Sequence, residues 1–175
     1  MKTKKLVTYA LFIALTCVAT MIVRIPTGTT AGYVNLGDCL VLLSAYFLGP
    51  IGGAVCAGIG SSLADILSSY MIYAIPTLII KALVAFTAGI MFNKFFKTKN
   101  NSLLLVNGLI AEMIMVFGYF IFEAFLYGPV SAATALFPNS LQAIFGVVSS
   151  TLLYAVLSRN KAFMKSMSFQ TIQNK

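Results

Sequence analysis

The sequence predicts an all-α integral membrane protein of six transmembrane helices, with both termini on the cytoplasmic side. Three observations predict it. First, 59% of the residues are hydrophobic and only 9% are charged, against about 25% charged in soluble proteins. Second, the apolar residues come in long runs rather than in alternation, and a helix is the structure that satisfies the backbone of such a run inside a bilayer. Third, the cations gather at the chain ends and in one internal stretch, as they do in cytoplasmic segments. The length suits one transmembrane domain over 1–175. The net charge of +8, distributed in this way, speaks for a lipid bilayer and against nucleic acid.

About 20 helical residues cross the hydrocarbon core. The first segment, Leu6 to Val23, follows Lys2, Lys4 and Lys5. It is long for a signal peptide and lacks a small-x-small cleavage pattern before Arg24, so it reads as a retained helix. The second, Val34 to Leu48, is short and is expected to begin below the membrane surface. After a Gly49-Pro50 break, the third runs from Ile51 to about Ser68. It carries Gly53, Ala57 and Ser61 on one stripe and Gly60, Ala64 and Ser68 on another. Small residues four apart let helices approach closely in lipid, so this segment is expected at the centre of the bundle. The fourth starts near Tyr73 or Pro76 and ends near Phe92. The fifth spans about Leu103 to Phe122, and the sixth Asn139 to Leu157.

With the N-terminus inside, ten of the twelve cations fall on inner segments. Arg24 falls outside, and Lys81 lies within the fourth helix. The outer connections are then 24–33, a short link near 69–73, and 123–138. The two long ones carry Gly and Pro and are expected to be loops at a binding mouth. The Arg24–Tyr33 loop is expected to close over a ligand as a lid.

Several chemistries are excluded. The chain has no histidine, which removes the commonest metal ligand and general base. Cys17, Cys39 and Cys56 have no metal-ligand spacing and read as small core residues. There is no phosphate-binding Gly-rich loop ending in Lys-Ser/Thr, so the chain is not itself an ATPase. No nucleophile has a base partner. The expectation is a protein that is not an enzyme, with no cofactor, no metal and no catalytic residue.

The informative polar residues are those in sequence otherwise fit for lipid. Asp38, Asp65 and Lys81 are of this kind. A charge at bilayer depth costs roughly 2.5–3.5 kcal/mol on insertion scales, which makes such residues candidates for function; snorkelling to a nearby interface or a structural pair is the alternative. Glu112 and Glu123 stand eleven residues apart, on one face of the fifth helix. Lys81, Glu112, Glu123, Asn139 and Gln142 are therefore expected to converge on an outward-opening cavity. Tyr73, Tyr119, Phe120 and Tyr127 would supply aromatic walls, and Asn35 and Asp38 join the set from the start of the second segment. Such a pocket suits a small, planar, uncharged ligand. On the first helix, Ala10 and Ala14 form a groove among bulky neighbours and are expected to dock a partner helix.

The stretches Gly32-Tyr-Val-Asn-Leu-Gly-Asp38, Gly49-Pro50, Ser61-Ser62 with Asp65, Pro76-Thr-Leu-Ile-Ile-Lys81 and Gly118-Tyr-Phe-Ile-Phe-Glu123 together resemble one family. It is the substrate-binding S component of energy-coupling factor (ECF) vitamin transporters. The resemblance runs from Lys5 to about Lys161 and is nearest to the branch for riboflavin, or for vitamin B6 and hydroxymethylpyrimidine. It implies a multi-pass protein of the bacterial cell membrane with a high-affinity site near the outer face. It also implies three partners: a transmembrane coupling subunit, contacted through an Ala-x-x-x-Ala motif that Ala10 and Ala14 match, and two cytoplasmic ATPase subunits. The expected function is the binding subunit of ATP-driven uptake, for pyridoxine or hydroxymethylpyrimidine. Riboflavin is the alternative ligand, and a stand-alone facilitator or a purely structural subunit are the alternative classes.

Overall fold

The computed structural model describes residues 2–22, 24–26, 33–95 and 101–167. Six helices carry the fold: α1 Lys2–Ile22, α2 Asp38–Leu67, α3 Met71–Phe95, α4 Asn101–Tyr127, α5 Pro129–Leu157 and the short α6 Lys161–Met167. Five of them, α1 to α5, are long and apolar enough to cross a membrane. Between α1 and α2 lie two three-residue strands, β1 Arg24–Pro26 and β2 Tyr33–Asn35. They pair antiparallel, with Arg24 opposite Asn35 and Pro26 opposite Tyr33. The segment expected as a plain loop thus has paired ends. The lid expectation concerns its middle, residues 27–32, which lie outside the described residues.

The two segments expected on either side of Gly49 are the arms of α2. Gly49 leaves helical geometry at φ 76°, ψ −177°, a backbone region open to glycine and costly for other residues, and Pro50 restarts the helix with the φ it prefers. The arms fold against each other. The Ser44 hydroxyl donates to the Gly53 carbonyl at 3.3 Å, whereas nine residues of straight helix would separate them by about 13 Å. A Cβ on Gly53 would stand 2.6 Å from the Ala45 Cα, so only a bare backbone fits there. The first arm, 38–48, rises about 16 Å, roughly half the hydrocarbon thickness.

The second arm, 50–67, is the centre of the bundle, as its small residues predict. A Cβ at Gly60 would meet the Ile13 carbonyl of α1 at 2.7 Å, and one at Gly58 the Leu78 carbonyl of α3 at 2.8 Å. The main core lies between α2, α3, α4 and α5 and includes Leu42, Tyr46, Val84, Leu104, Met115 and Val147. A second cluster joins Phe12 of α1, Phe47 and Cys56 of α2, and Phe163 and Met164 of α6. All three cysteines are buried and free.

One expectation is overturned. Residues 123–138 are not a loop at a binding mouth. α4 continues to Tyr127, a single Gly128 at φ 87° turns the chain, and α5 begins at Pro129. Proline is favoured at the first helical position, where its missing N–H would have no partner in any case. Pro138 sits inside α5 without ending it, as Pro76 does inside α3. The sixth segment therefore starts ten residues before Asn139.

The bundle has two unlike ends. At one, Gly89 of α3 packs against the Gly49-Pro50 turn, Lys5 sits over the Tyr9 ring, and Tyr9 packs in the cluster that includes Phe163 of α6. Lys4, Lys94, Arg159, Lys161 and Lys165 are exposed residues at this end. At the other end lie the β1–β2 pair, the α2–α3 link and the Gly128 turn.

Candidate functional site

A cavity opens at the end remote from the basic residues. About 380 Å³ of space free of protein atoms lies at it, open solvent at the mouth included. Five helices and β2 contribute to its wall. From α1 comes Thr20, from β2 Tyr33 and Asn35, and from α2 Ser61 and Asp65. α3 gives Tyr73, Thr77 and Lys81, α4 Tyr119 and Glu123, and α5 Asn139.

Six of the nine residues expected to bind ligand line this cavity: Asn35, Tyr73, Lys81, Tyr119, Glu123 and Asn139. The other three, Asp38, Glu112 and Gln142, are buried and are absent from its wall. Asp38 and Gln142 hold up the floor. The Lys81 ammonium and the Asp38 carboxylate form an ion pair, and the Gln142 amide donates to the other Asp38 oxygen. The Gln142 carbonyl in turn accepts the Asn35 backbone N–H at 2.7 Å, and the Asn35 side-chain oxygen accepts from the Gly37 N–H at 2.8 Å. This network ties β2 to α2, α3 and α5. Asp38 also stands in the first turn of α2, where a negative charge is favoured by the helix dipole. Gly146 of α5 makes room for it, since a Cβ there would lie 2.7 Å from the Asp38 Cβ.

Glu112 is fully buried, and neither of its carboxyl oxygens has a hydrogen-bond partner among the described residues. It is close enough to Asp38 and Lys81 to feel their charge.

The wall itself is built of phenols facing carboxylates. The Tyr33 hydroxyl donates to Asp65 at 2.5 Å, and its ring packs against Tyr70 at 4.6 Å between centroids. Burial and the neighbouring Asp65 carboxylate push the Tyr33 phenol well above its ordinary range, so it keeps the proton that it donates to Asp65. Opposite, the Tyr73 hydroxyl donates to Glu123 at 3.1 Å. Tyr119 shares a 3.0 Å hydrogen bond with Thr77, and the Lys81 ammonium lies 5.6 Å from the Tyr119 ring centroid, within cation–π range. Phe120 and Tyr127, expected as further aromatic walls, are not part of the lining; Tyr127 is exposed.

Thr20, Tyr33, Ser61 and Thr77 were not expected in the wall. Asp65 was marked as a buried acid without being assigned to the cavity. Thr20 was hidden because α1 reads only as a docking helix, although Thr16 and Thr20, four apart, both face inward. Ser61 reads as a packing residue, and it is both: it lies on the close-packed arm and lines the cavity, with its buried hydroxyl lacking a hydrogen-bond partner among the described residues. Among the described residues, no three His, Cys, Asp or Glu side chains gather as a metal site.

Ala10 and Ala14 are exposed on the outer face of α1, beside Leu6, Val7, Leu11 and Val18. The opposite face of α1, with Phe12, Thr16 and Thr20, is the buried one.

Over residues 1–159 the sequence matches the family described as ECF-type riboflavin transporter, S component. A protein of Pyrococcus woesei described as an uncharacterized protein in gap 3'region is 36% identical over 132 residues, covering 75% of this chain and 86% of its own length. The thiamine precursor transporter HmpT of Lactococcus lactis subsp. cremoris is 29% identical over 157 residues, covering 89% of each chain.

Proposed function

We propose, for a chain that belongs to the family of ECF-type riboflavin transporter S components, that the cavity at the end away from the basic residues is its ligand site. The protein is a multi-pass membrane transport component of vitamin type and not an enzyme. The observation that carries the assignment of the site is the convergence of buried polar side chains from five helices and a strand on one space. Buried polar groups in lipid are costly, and two of the chain's four acids, Asp65 and Glu123, stand in this wall while a third, Asp38, pairs with its Lys81.

The ligand we favour is a small heteroaromatic alcohol, hydroxymethylpyrimidine before pyridoxine. The resemblance to a thiamine precursor transporter favours the pyrimidine. Riboflavin remains the second reading, because the family description names it. The clustering of cations at the opposite end supports an orientation with that end in the cytoplasm, with both termini there and the cavity facing out. On this reading the α2 hairpin counts as two of six segments.

The family implies a transmembrane coupling subunit and ATPase subunits as partners. We place the contact with the coupling subunit on the Ala10–Ala14 stripe, which is exposed and allows close helix approach. The test is purification of the chain with its native partners. A heteroaromatic alcohol in the mass spectrum of the released small molecules, together with ATPase subunits on the gel, is the expected result. In Ala14→Trp the ligand should stay bound while the ATPase subunits and ATP-driven uptake are lost. Uptake at full rate in that variant would contradict the docking stripe.

A further inference from the structure

Glu112 is the acid that the cavity does not account for. It is 0% exposed, and neither of its carboxyl oxygens has a hydrogen-bond partner among the described residues. It is absent from the cavity wall. A buried carboxyl without a partner is costly, so a donor within its reach has a strong claim on it.

The packing of α4 says which donor that is. Three side-chain contacts tie α3 to α4 like rungs: Tyr73 to Glu123 at 3.1 Å, Thr77 to Tyr119 at 3.0 Å, and the Ala88 carbonyl to Asn107 at 3.1 Å. The two helices therefore run antiparallel. Lys81 and Glu112 both fall between the second rung and the third, and Glu112 is the deeper of the two. On the other side of α4, a Cβ at Gly108 would meet Val147 of α5 at 3.0 Å, and the adjacent Gly146 lies against Asp38. Glu112 is one helical turn from Gly108. It thus stands beneath the Asp38–Lys81 pair, near enough for both charges to act on it. The Tyr46 hydroxyl, 3.4 Å from where a Cβ on Gly108 would stand, reaches α4 one turn deeper and does not bond to Glu112.

Asp38 does not depend on Lys81 alone. Its other oxygen accepts from the Gln142 amide, and it stands in the first turn of α2, where the helix dipole favours it. Asp65, another acid on which Lys81 acts, already accepts from Tyr33 at 2.5 Å. Lys81 carries its three donors on a flexible four-carbon stem. It has one acid in hand and a second, unengaged one below it.

We propose that Glu112 is a positioning residue for Lys81: the ammonium passes from Asp38 to Glu112 when the cavity fills, and Asp38 stays on Gln142 and the helix N-terminus. Lys81 is in the cavity wall, so an occupant acts on it directly, whereas Glu112 acts only through it. The inference rests on the cavity being the ligand site.

A double-mutant cycle on the full chain in detergent tests it. Thermal midpoints are measured for Asp38→Asn, Glu112→Gln and the double variant. With two acceptors for one cation, each single loss is mild. The double variant should fall by more than the sum of the two, or fail to fold where both singles fold. Falls that simply add overturn the proposal, and so does an Asp38→Asn variant that does not fold. Excess coupling that appears with Asp65→Asn in place of Glu112→Gln overturns it as well, because Asp65 is then the second acceptor. Calorimetry with hydroxymethylpyrimidine reads the ligand-driven step. Glu112→Gln should weaken binding at least about tenfold, and Glu112→Asp, which keeps the acid, should recover most of it. Parent-like affinity in Glu112→Gln overturns the exchange. If the unmutated chain does not bind the probe, the reading of the cavity as a site for this ring falls, and the midpoint cycle still decides whether Glu112 serves Lys81.

Discussion

The two ends of this bundle handle polar groups in opposite ways. At the basic end the charges are on the surface, and the interior beneath them is a stack of rings: Phe47 lies 5.2 Å from Tyr154 and 5.1 Å from Phe163, and Phe92 lies 5.2 Å from Tyr46. Lys4, Lys94, Arg159, Lys161 and Lys165 are exposed there. At the cavity end the acids and Lys81 are inside, and each is engaged by, or close to, another group from a different element. The basic end gains its order from apolar area. The cavity end gives up that area for directed hydrogen bonds, a sacrifice that makes sense where a polar ligand must be recognised.

If that contrast is right, the largest effect should come from breaking the ion pair at the cavity end. Lys81→Met leaves Asp38 buried and unpaired, which costs about 3–5 kcal/mol and should appear as a steep fall in the thermal midpoint in detergent. Lys81→Met combined with Asp38→Asn should recover most of it. A single variant as stable as the parent would show that the pair is not desolvated. Next in size is Gly53→Val at the hairpin, where even a first side-chain carbon would press on the Ala45 backbone. Forced shifts of packed backbones cost about 1–3 kcal/mol, and both ends should loosen together because the hairpin spans them. Phe163→Ala removes one ring of the half-buried stack at the basic end and should cost about 1 kcal/mol of stability, with ligand affinity unchanged. The smallest effect belongs to Lys161→Gln, an exposed residue, which should stay within about 0.5 kcal/mol. A loss of ligand binding in either of these last two variants would break the comparison.

How much of this was legible beforehand follows the same contrast. The apolar runs declared the helices, and Gly49-Pro50 declared the hairpin, because each signal is local. Six of the nine expected ligand residues line the cavity, and an acid or lysine in apolar sequence is what drew attention to several of them. Residues 123–138 were misread because Gly128, Pro129 and Pro138 are turn residues by type, while Pro129 in place is a helix start. The β1–β2 pair is three residues a side, too short to leave a periodic pattern. Thr20, Ser61 and Thr77 were invisible because a hydroxyl on a helix looks the same whether it faces lipid, a neighbouring helix or a cavity. What decides it is which other segments stand opposite, and no local pattern carries that.

Hydrogen–deuterium exchange with and without hydroxymethylpyrimidine tests the division of labour most directly. The account predicts slower exchange on ligand addition in peptides covering 33–38, 70–77 and 119–128, and no change in those covering 159–167. Protection confined to the basic end, or spread evenly over both ends, would contradict it.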